Sequence, residues 1–361
     1  MKIVTITGAR PQFIKSAMIS RAIDKHNAKD GMKIEEYILH TGQHYDKNMN
    51  EIMSGMTKPT WQLHCGGIAS HSAMMAEMLV GIESALLESF PDYVLVYGDT
   101  NSTLAGALAA SQLNIPVIHV EAGLRSFNRR MPEEKNRVLT DHLADLLFCP
   151  TYKAVENLAR EGITEGLFHV GDVMYDAALM FGMIAEEKSQ VMTRLGLKSK
   201  QFSLCTVHRA ENTNDPERLQ QIIIALRQIA RPDYPVVLPL HPRTAIYLNN
   251  YHLRANNPSL HLIEPVDYQD MVMLEKHARV ILTDSGGVQK EAYFHRTPCV
   301  TLRDETEWVE TVEAGWNQIA GCSAEEIIAC HDADLNKHEI KEYGDGHAAE
   351  KVINAIVALK R

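Results

Sequence analysis

The chain has 361 residues, 45% of them hydrophobic and 23% charged, with a formal net charge of −10. That length holds two domains with sizeable cores, and the acidic balance excludes nucleic acid or an anionic membrane surface as the main partner. Any anionic ligand must be met by local cations and helix ends rather than by the overall field. No apolar run reaches the length of a membrane span, and Met1, Lys2 and Ile3 lead into a strand rather than a secretion signal, so a cytoplasmic protein is expected. The six cysteines, at 65, 149, 205, 299, 322 and 330, form no Cys-x-x-Cys pair, which suits reduced thiols. The 17 histidines show no zinc-binding spacing, so no metal is expected.

In chain order, short apolar runs alternate with amphipathic helical patterns. Strands are predicted over 3–7, 37–41, 93–97, 116–120, 146–149 and 168–170, and a second series over 202–207, 236–240, 260–263, 279–283, 298–302 and 318–320. Between them Met74, Met75, Met78, Leu79, Ile82, Ala85 and Leu86 form one apolar stripe at helical spacing, which reads as core packing rather than a cofactor box. Such alternation implies parallel sheets covered on both faces. Twelve strands are too many for one comfortable open sheet. The expected fold is therefore α/β, with two doubly wound, Rossmann-like domains facing a cleft. They are placed at 1–172 and 173–345, and a last helix within 346–361 is expected to pack back on the first domain.

Doubly wound domains bind ligands beyond the carboxyl ends of their strands, so the residues after each strand carry the functional argument. Gly8, Ala9, Arg10, Pro11 and Lys15 follow the first strand. Pro11 suits a helix's first turn, yet Arg10 and Lys15 oppose the helix dipole there. Either an anion resolves that conflict or the charges are simply solvated. Asp99 follows the third strand, as a helix cap or as an acid–base group, and Glu121 follows the fourth. Glu133 and Glu134 open the next helix, where glutamates are common for dipole reasons alone. As a set, Asp99, Glu121 and Glu133 are clustered carboxylates suited to proton transfer.

In the second half His208 and Arg209 follow a strand, His241 and Arg243 the next, and Arg303 a later one. His208 is either a proton-transfer group beside a diphosphate or a satisfied loop histidine. Between them Asp284, Ser285, Gly286 and Gly287 turn a buried strand into a helix that carries Glu291. Two glycines allow a ligand close to the backbone, and the first free N–H groups of the helix suit a phosphate. Glu291, one turn on, then faces an attached ribose.

Read together, Gly8-Ala9-Arg10-Pro11, Gly98-Asp99-Thr100, Glu121-Ala122-Gly123-Leu124-Arg125, Pro132-Glu133-Glu134 with Asn136-Arg137, His208-Arg209 with Glu211-Asn212, Asp284-Ser285-Gly286-Gly287 and Arg303-Asp304 resemble the non-hydrolysing UDP-N-acetylglucosamine 2-epimerase family. The resemblance implies a glycosyltransferase-B-like fold, no cofactor, UDP and a UDP-activated 2-acetamido sugar as partners, and a homodimer. It implies elimination of UDP across C1–C2 to a 2-acetamidoglucal, then re-addition with the proton on the other face. Asp99, Glu121 and Glu133 would be the acid–base carboxylates, with His208 near the leaving phosphate. Arg10, Lys15, Ser285, Gly286 and Gly287 would hold the diphosphate and Glu291 the ribose; Arg137, Arg209, His241 and Arg303 complete the binding set.

Departures refine the expectation. Ala9 and Gln12-Phe13 stand where many members have threonine and glutamate. Gln43, His44 and Arg209 match a site for a second, activating substrate molecule, but Asp46, Ala69 and Ser70 do not. The stretches around Gln12, Asn101 and Arg129-Arg130 look more like the branch acting on UDP-2,3-diacetamido-2,3-dideoxy-glucuronate, a precursor branch for surface polysaccharide such as the O-antigen of lipopolysaccharide. UDP-N-acetylglucosamine itself, or a glycosyltransferase of the same fold, is the alternative.

Overall fold

The structure is a computed structural model that describes residues 1–43, 58–68, 70–253 and 256–360. His44, Asp46 and Ala69 lie outside the described residues. The chain divides into two compact units, Met1–Ala177 with Lys341–Arg361, and Ala178–Ile340.

The first unit contains a seven-stranded parallel sheet. Its strands are β1 (Lys2–Thr7), β2 (Glu35–His40), β3 (Trp61–Gln62), β4 (Tyr93–Tyr97), β5 (Val117–Val120), β6 (Leu146–Cys149) and β7 (Leu167–His169). They lie in the order β3-β2-β1-β4-β5-β6-β7, so the strand order reverses between β1 and β4. The second unit contains a six-stranded parallel sheet of β8 (Ser203–Thr206), β9 (Val236–Pro239), β10 (Leu260–Ile263), β11 (Val280–Thr283), β12 (Cys299–Thr301) and β13 (Asn317–Ile319). Its order, β10-β9-β8-β11-β12-β13, reverses between β8 and β11. In each unit the residues after the two strands at that reversal are where an open α/β sheet receives its ligand. Among the described residues no helix is long and apolar enough to cross a membrane.

All twelve predicted strands are present, no end displaced by more than two residues. β3 was not predicted: two residues are too few to show alternation, and it joins the sheet only at its edge, beside β2. The methionine-bearing stripe folds as the His71–Ser89 helix, with Met78, Ile82, Ala85 and Leu86 fully buried against β1 and β4 core residues such as Val4 and Val94. The Ala348–Leu359 helix returns to the first unit, where Val352, Ile353 and Ile356 are buried and Glu350 pairs with Lys25 of the Arg10–Asn27 helix at 2.7 Å. Its start is capped by Asp176, which accepts from Ala348 N at 3.0 Å and Ala349 N at 2.8 Å.

Candidate active site

In the first unit the site begins at the β1 turn. Gly8 has no room for a side chain, because a Cβ there would run into the hydroxyls of Ser102 and Thr41. Gln12 then ties this turn to the neighbouring strand. Its Oε1 accepts from Gly8 N at 2.8 Å and Ala9 N at 3.0 Å, and its Nε2 donates to Tyr97 O at 2.8 Å and Thr103 Oγ1 at 2.9 Å. The glutamine is thus a structural bridge between the ends of β1 and β4. Arg10 is half-buried at the start of the helix, and Lys15, one turn further, is buried and paired with the Glu121 carboxylate.

Glu121 stands at the end of β5 with φ 72. A non-glycine residue in the left-handed region costs about 1–3 kcal/mol and persists only where its surroundings impose it. Here Glu121 N and Ala122 N both donate to Phe148 O, at 3.0 and 3.1 Å, fixing the strained residue against β6. Strained non-glycine residues of this kind cluster at functional sites, which makes Glu121 a candidate for one.

Asp99 is held from three directions. Arg137 pairs with its carboxylate, Asn136 Nδ2 donates to its carbonyl at 3.0 Å, and His119 Nε2 lies 2.8 Å from the carbonyl of the preceding Gly98. Gly98 itself has φ 64, and a Cβ there would sit 3.5 Å from Lys15 Nζ and 3.9 Å from Glu121 Oε1. The Asp99 turn and the Lys15–Glu121 pair therefore adjoin one another. Asn136 and Arg137 come from the Pro132–Leu143 helix, whose first turn carries Glu133 and Glu134.

These two glutamates look alike in the sequence and differ in the structure. Glu134 is buried and saturated, accepting from Ser126 N and Oγ at 3.0 Å each, Phe127 N at 2.8 Å and Arg137 Nη1 at 2.8 Å. It shapes the loop and aims Arg137. Glu133 is half-exposed on the turn that also supplies Asn136 and Arg137.

Three residues of this unit with no expected role turn out to support the site. His119 Nδ1 lies 2.7 Å from Asp141 Oδ1, and Asp141 Oδ2 accepts from Gly123 N at 3.1 Å and Arg125 Nη1 at 2.7 Å. Arg125 also makes a two-pronged pair with Glu161, both bonds 2.7 Å. Burial pushes the Asp141 carboxyl up, but His119 and Arg125 outweigh it and hold the group below its ordinary value. The signal available in the sequence was a histidine inside an otherwise apolar strand, Val117–Val120; its partner 22 residues on was not visible.

In the second unit Asp284 is the organising group. It is fully buried after β11 and accepts from His208 N at 3.1 Å, Arg209 N at 3.0 Å and Asn212 Nδ2 at 3.1 Å. This binds the loop after β8 to the turn after β11, the two strands at the sheet's reversal. His208 Nδ1 is 3.4 Å from Asp284 Oδ1, and its ring centroid is 5.4 Å from that of His241. Burial, with help from Arg209 and Arg243, draws the His208 pKa below its usual value against the pull of Asp284. Burial likewise lowers His241, whose Nδ1 accepts from Arg243 N at 3.2 Å. Both shifts favour the neutral form of the ring.

Ser285 caps the Gly286–Phe294 helix. Gly286 is roofed by the Glu307 carboxylate, which a Cβ would strike, whereas Gly287 has only Ser285 Oγ near its Cβ position, at 3.9 Å. The open face of the turn is at Gly287. Glu291 lies one turn in, with Tyr268 OH donating to it at 3.5 Å. Arg303 is buried and donates from Nη1 to Glu307 Oε2 at 2.9 Å, so it steadies the group that roofs Gly286. Of the residues compared with an activating site, Gln43, which matches it, accepts from Ser102 N at 3.0 Å and Oγ at 2.7 Å, and Ser70, which departs from it, caps the His71–Ser89 helix. Both side chains are engaged in helix starts.

Comparison with known proteins gives the family and the fold. A family model described as UDP-N-acetylglucosamine 2-epimerase matches residues 26–357. A UDP-N-acetylglucosamine 2-epimerase homolog of Methanococcus maripaludis is 49% identical, covering 99% of both chains. The UDP-2,3-diacetamido-2,3-dideoxy-D-glucuronate 2-epimerase of Pseudomonas aeruginosa is 47% identical over 99% of this chain and 100% of its own. Among solved structures, the Methanocaldococcus jannaschii UDP-GlcNAc 2-epimerase in complex with UDP-GlcNAc and UDP superposes with TM-score 0.89 at 42% identity, over 99% of this chain and 100% of that one. With two parallel-sheet units and a match along nearly its whole length, the chain belongs to the UDP-N-acetylglucosamine 2-epimerase family of isomerases.

Proposed function

We propose that this protein inverts C2 of a UDP-2-acetamido sugar, gluco to manno, without hydrolysing it. The C2 proton is not next to a carbonyl, so direct enolisation is closed. A carboxylate takes that proton, the C–H electron pair becomes the C1=C2 bond, and the C1–O bond breaks to release UDP. Re-addition reverses each step, with the proton delivered to the opposite face. The observation that carries this reading is the Asp99 turn, gripped by Asn136 and Arg137 beside the Lys15-paired, strained Glu121. Asp99, Glu121 and Glu133 supply acid–base groups. His208, with Arg209 and His241, suits the developing charge of the leaving diphosphate, and the Ser285–Gly287 turn and Glu291 suit its phosphates and ribose.

For the sugar we favour UDP-2,3-diacetamido-2,3-dideoxy-glucuronate. Support comes from the 47% identity to the Pseudomonas aeruginosa enzyme and from Arg129 and Arg130, exposed in the loop between Glu121 and Glu133. UDP-N-acetylglucosamine is favoured by another observation, that the Methanocaldococcus jannaschii relative was solved in complex with it. Incubation of each sugar in deuterated water, followed by NMR, separates them: the true substrate gains deuterium at C2 and reaches a gluco/manno mixture. Exchange in neither sugar sinks the reading, and transfer to an acceptor without C2 exchange favours a glycosyltransferase.

A homodimer is also part of the proposal. Val80 and Leu87, seven residues apart on the His71–Ser89 helix, are 69% and 52% exposed, and Phe90 beyond its end is 78% exposed. Such an apolar face suits burial against a second copy. Light scattering is expected to give twice the chain mass, and Leu87→Lys to give the monomer.

A further inference from the structure

The geometry points to a further positioning residue for this reaction: His119 as a buried imidazolium that clamps the Gly98 carbonyl and so sets the turn carrying Asp99. His119 is fully buried on β5. Both of its ring nitrogens face acceptors. Nδ1 is 2.7 Å from Asp141 Oδ1, and Nε2 is 2.8 Å from the Gly98 carbonyl oxygen. A carbonyl oxygen only accepts. Asp141 Oδ2 is paired with the always-charged Arg125 at 2.7 Å and also accepts from Gly123 N at 3.1 Å, so Asp141 stands as a carboxylate and it too only accepts. A neutral ring has one N–H. Either tautomer would then leave a nitrogen lone pair facing an oxygen lone pair at hydrogen-bond distance, between fully buried side chains. Two protons on the ring satisfy both contacts.

The surrounding charges support that state. Asp141 and Glu161 are balanced by Arg125 and a cationic His119. A neutral His119 would leave two carboxylates sharing one arginine. From the other side Lys15 and Glu121 adjoin Gly98, and they pair with each other. His142 approaches Glu161 at 3.3 Å from the partly exposed rim.

The consequence for the reaction follows from peptide planarity. The Gly98–Asp99 amide is flat and trans, so its N–H points opposite to its C=O. With the carbonyl drawn toward His119, the Asp99 N–H is turned away from the interior. The charge-assisted bond thus fixes the plane on which Asp99 is mounted, while Arg137 and Asn136 fix its carboxylate and carbonyl. His119 acts through Asp99 and touches no reacting atom.

This inference rests on the reading of Asp99 as an acid–base group, and the experiment separates the two. In protein labelled with 15N-histidine, the His119 ring is observed at about pH 8, above the ordinary histidine range. Both nitrogens are expected to resonate as protonated, with two ring N–H protons. A pyridine-type nitrogen at that pH overturns the imidazolium. The His119→Gln variant identifies the resonance; should it not fold, correlation through the Val120 backbone does so in the unaltered protein labelled uniformly with 13C and 15N. In the folded variant kcat for C2 exchange is expected to fall roughly tenfold or more while KM moves less than about threefold. An unchanged kcat overturns the positioning role. If the unaltered enzyme itself exchanges no C2 proton, the acid–base reading fails, and the ring signature still decides the protonation of His119.

Discussion

Asp99→Asn is expected to lower the rate of C2 proton exchange by roughly 10²- to 10⁴-fold, the range for loss of one acid–base group. The substitution keeps the size and shape of the side chain, so the backbone clamps on the turn, Asn136 to the Asp99 carbonyl and His119 to Gly98, stay in place. Arg137 loses one partner but keeps Glu134 at 2.8 Å. Stability is therefore expected to change by only about 1 kcal/mol, since Asp99 is partly solvated and its ion pair correspondingly screened. Binding of UDP, followed by calorimetry, should persist. A variant with unimpaired exchange would remove Asp99 from the chemistry. Glu134→Gln makes the contrasting control, because Glu134 serves the loop at 126–127 and the aim of Arg137. It should reduce stability as well as rate.

The largest stability effect is expected from Arg125→Met. Arg125 is buried and is the shared partner of Asp141 and Glu161. Removing one member of a buried ion-pair network costs about 3–5 kcal/mol, because the charge left behind has lost its compensation. Asp141, fully buried, bears that cost, while Glu161 at the rim is hydrated. Urea denaturation followed by circular dichroism measures the difference. The pH dependence has a definite sign. The Asp141 carboxyl is held below its ordinary value of 3.8, so its contribution is present above that pH and is lost as pH falls through the folded-state value. The gap between the unaltered protein and the variant should therefore narrow in acid below pH 3.8. A gap that is small at neutral pH would mean that the network does not hold the β5 end together.

What the sequence made legible follows from the range of each physical signal. Buried parallel strands announce themselves as short apolar runs, and all twelve were found that way; β3, two residues at a sheet edge, has no run to find. The motifs carrying Asp99, Glu121, His208 and the Ser285–Gly287 turn were visible because each follows a strand directly. What stayed hidden were partnerships between residues far apart in the chain. His119 and Asp141 are separated by 22 positions, and Asp284 and His208 by 76. Local pattern also could not distinguish Glu133 from Glu134, two adjacent glutamates in one helix start; only packing makes the second a scaffold. Gln12 is another case. As a departure from a common motif it carried no explanation, and its four hydrogen bonds between the ends of β1 and β4 supply one.

The last helix has a consequence for how the protein is made. Residues 341–361 complete a unit whose other part ends at Ala177, so the second unit is translated in full before the first has all its pieces. Until Ala348–Leu359 emerges, the Arg10–Asn27 helix lacks its covering, and Asp176 has no backbone amides to receive. Domains fold as they leave the ribosome when their contacts are local in the chain. Here the unit that starts first is completed last, and removing the Ala348–Leu359 helix is expected to leave the first unit uncovered along the Arg10–Asn27 helix.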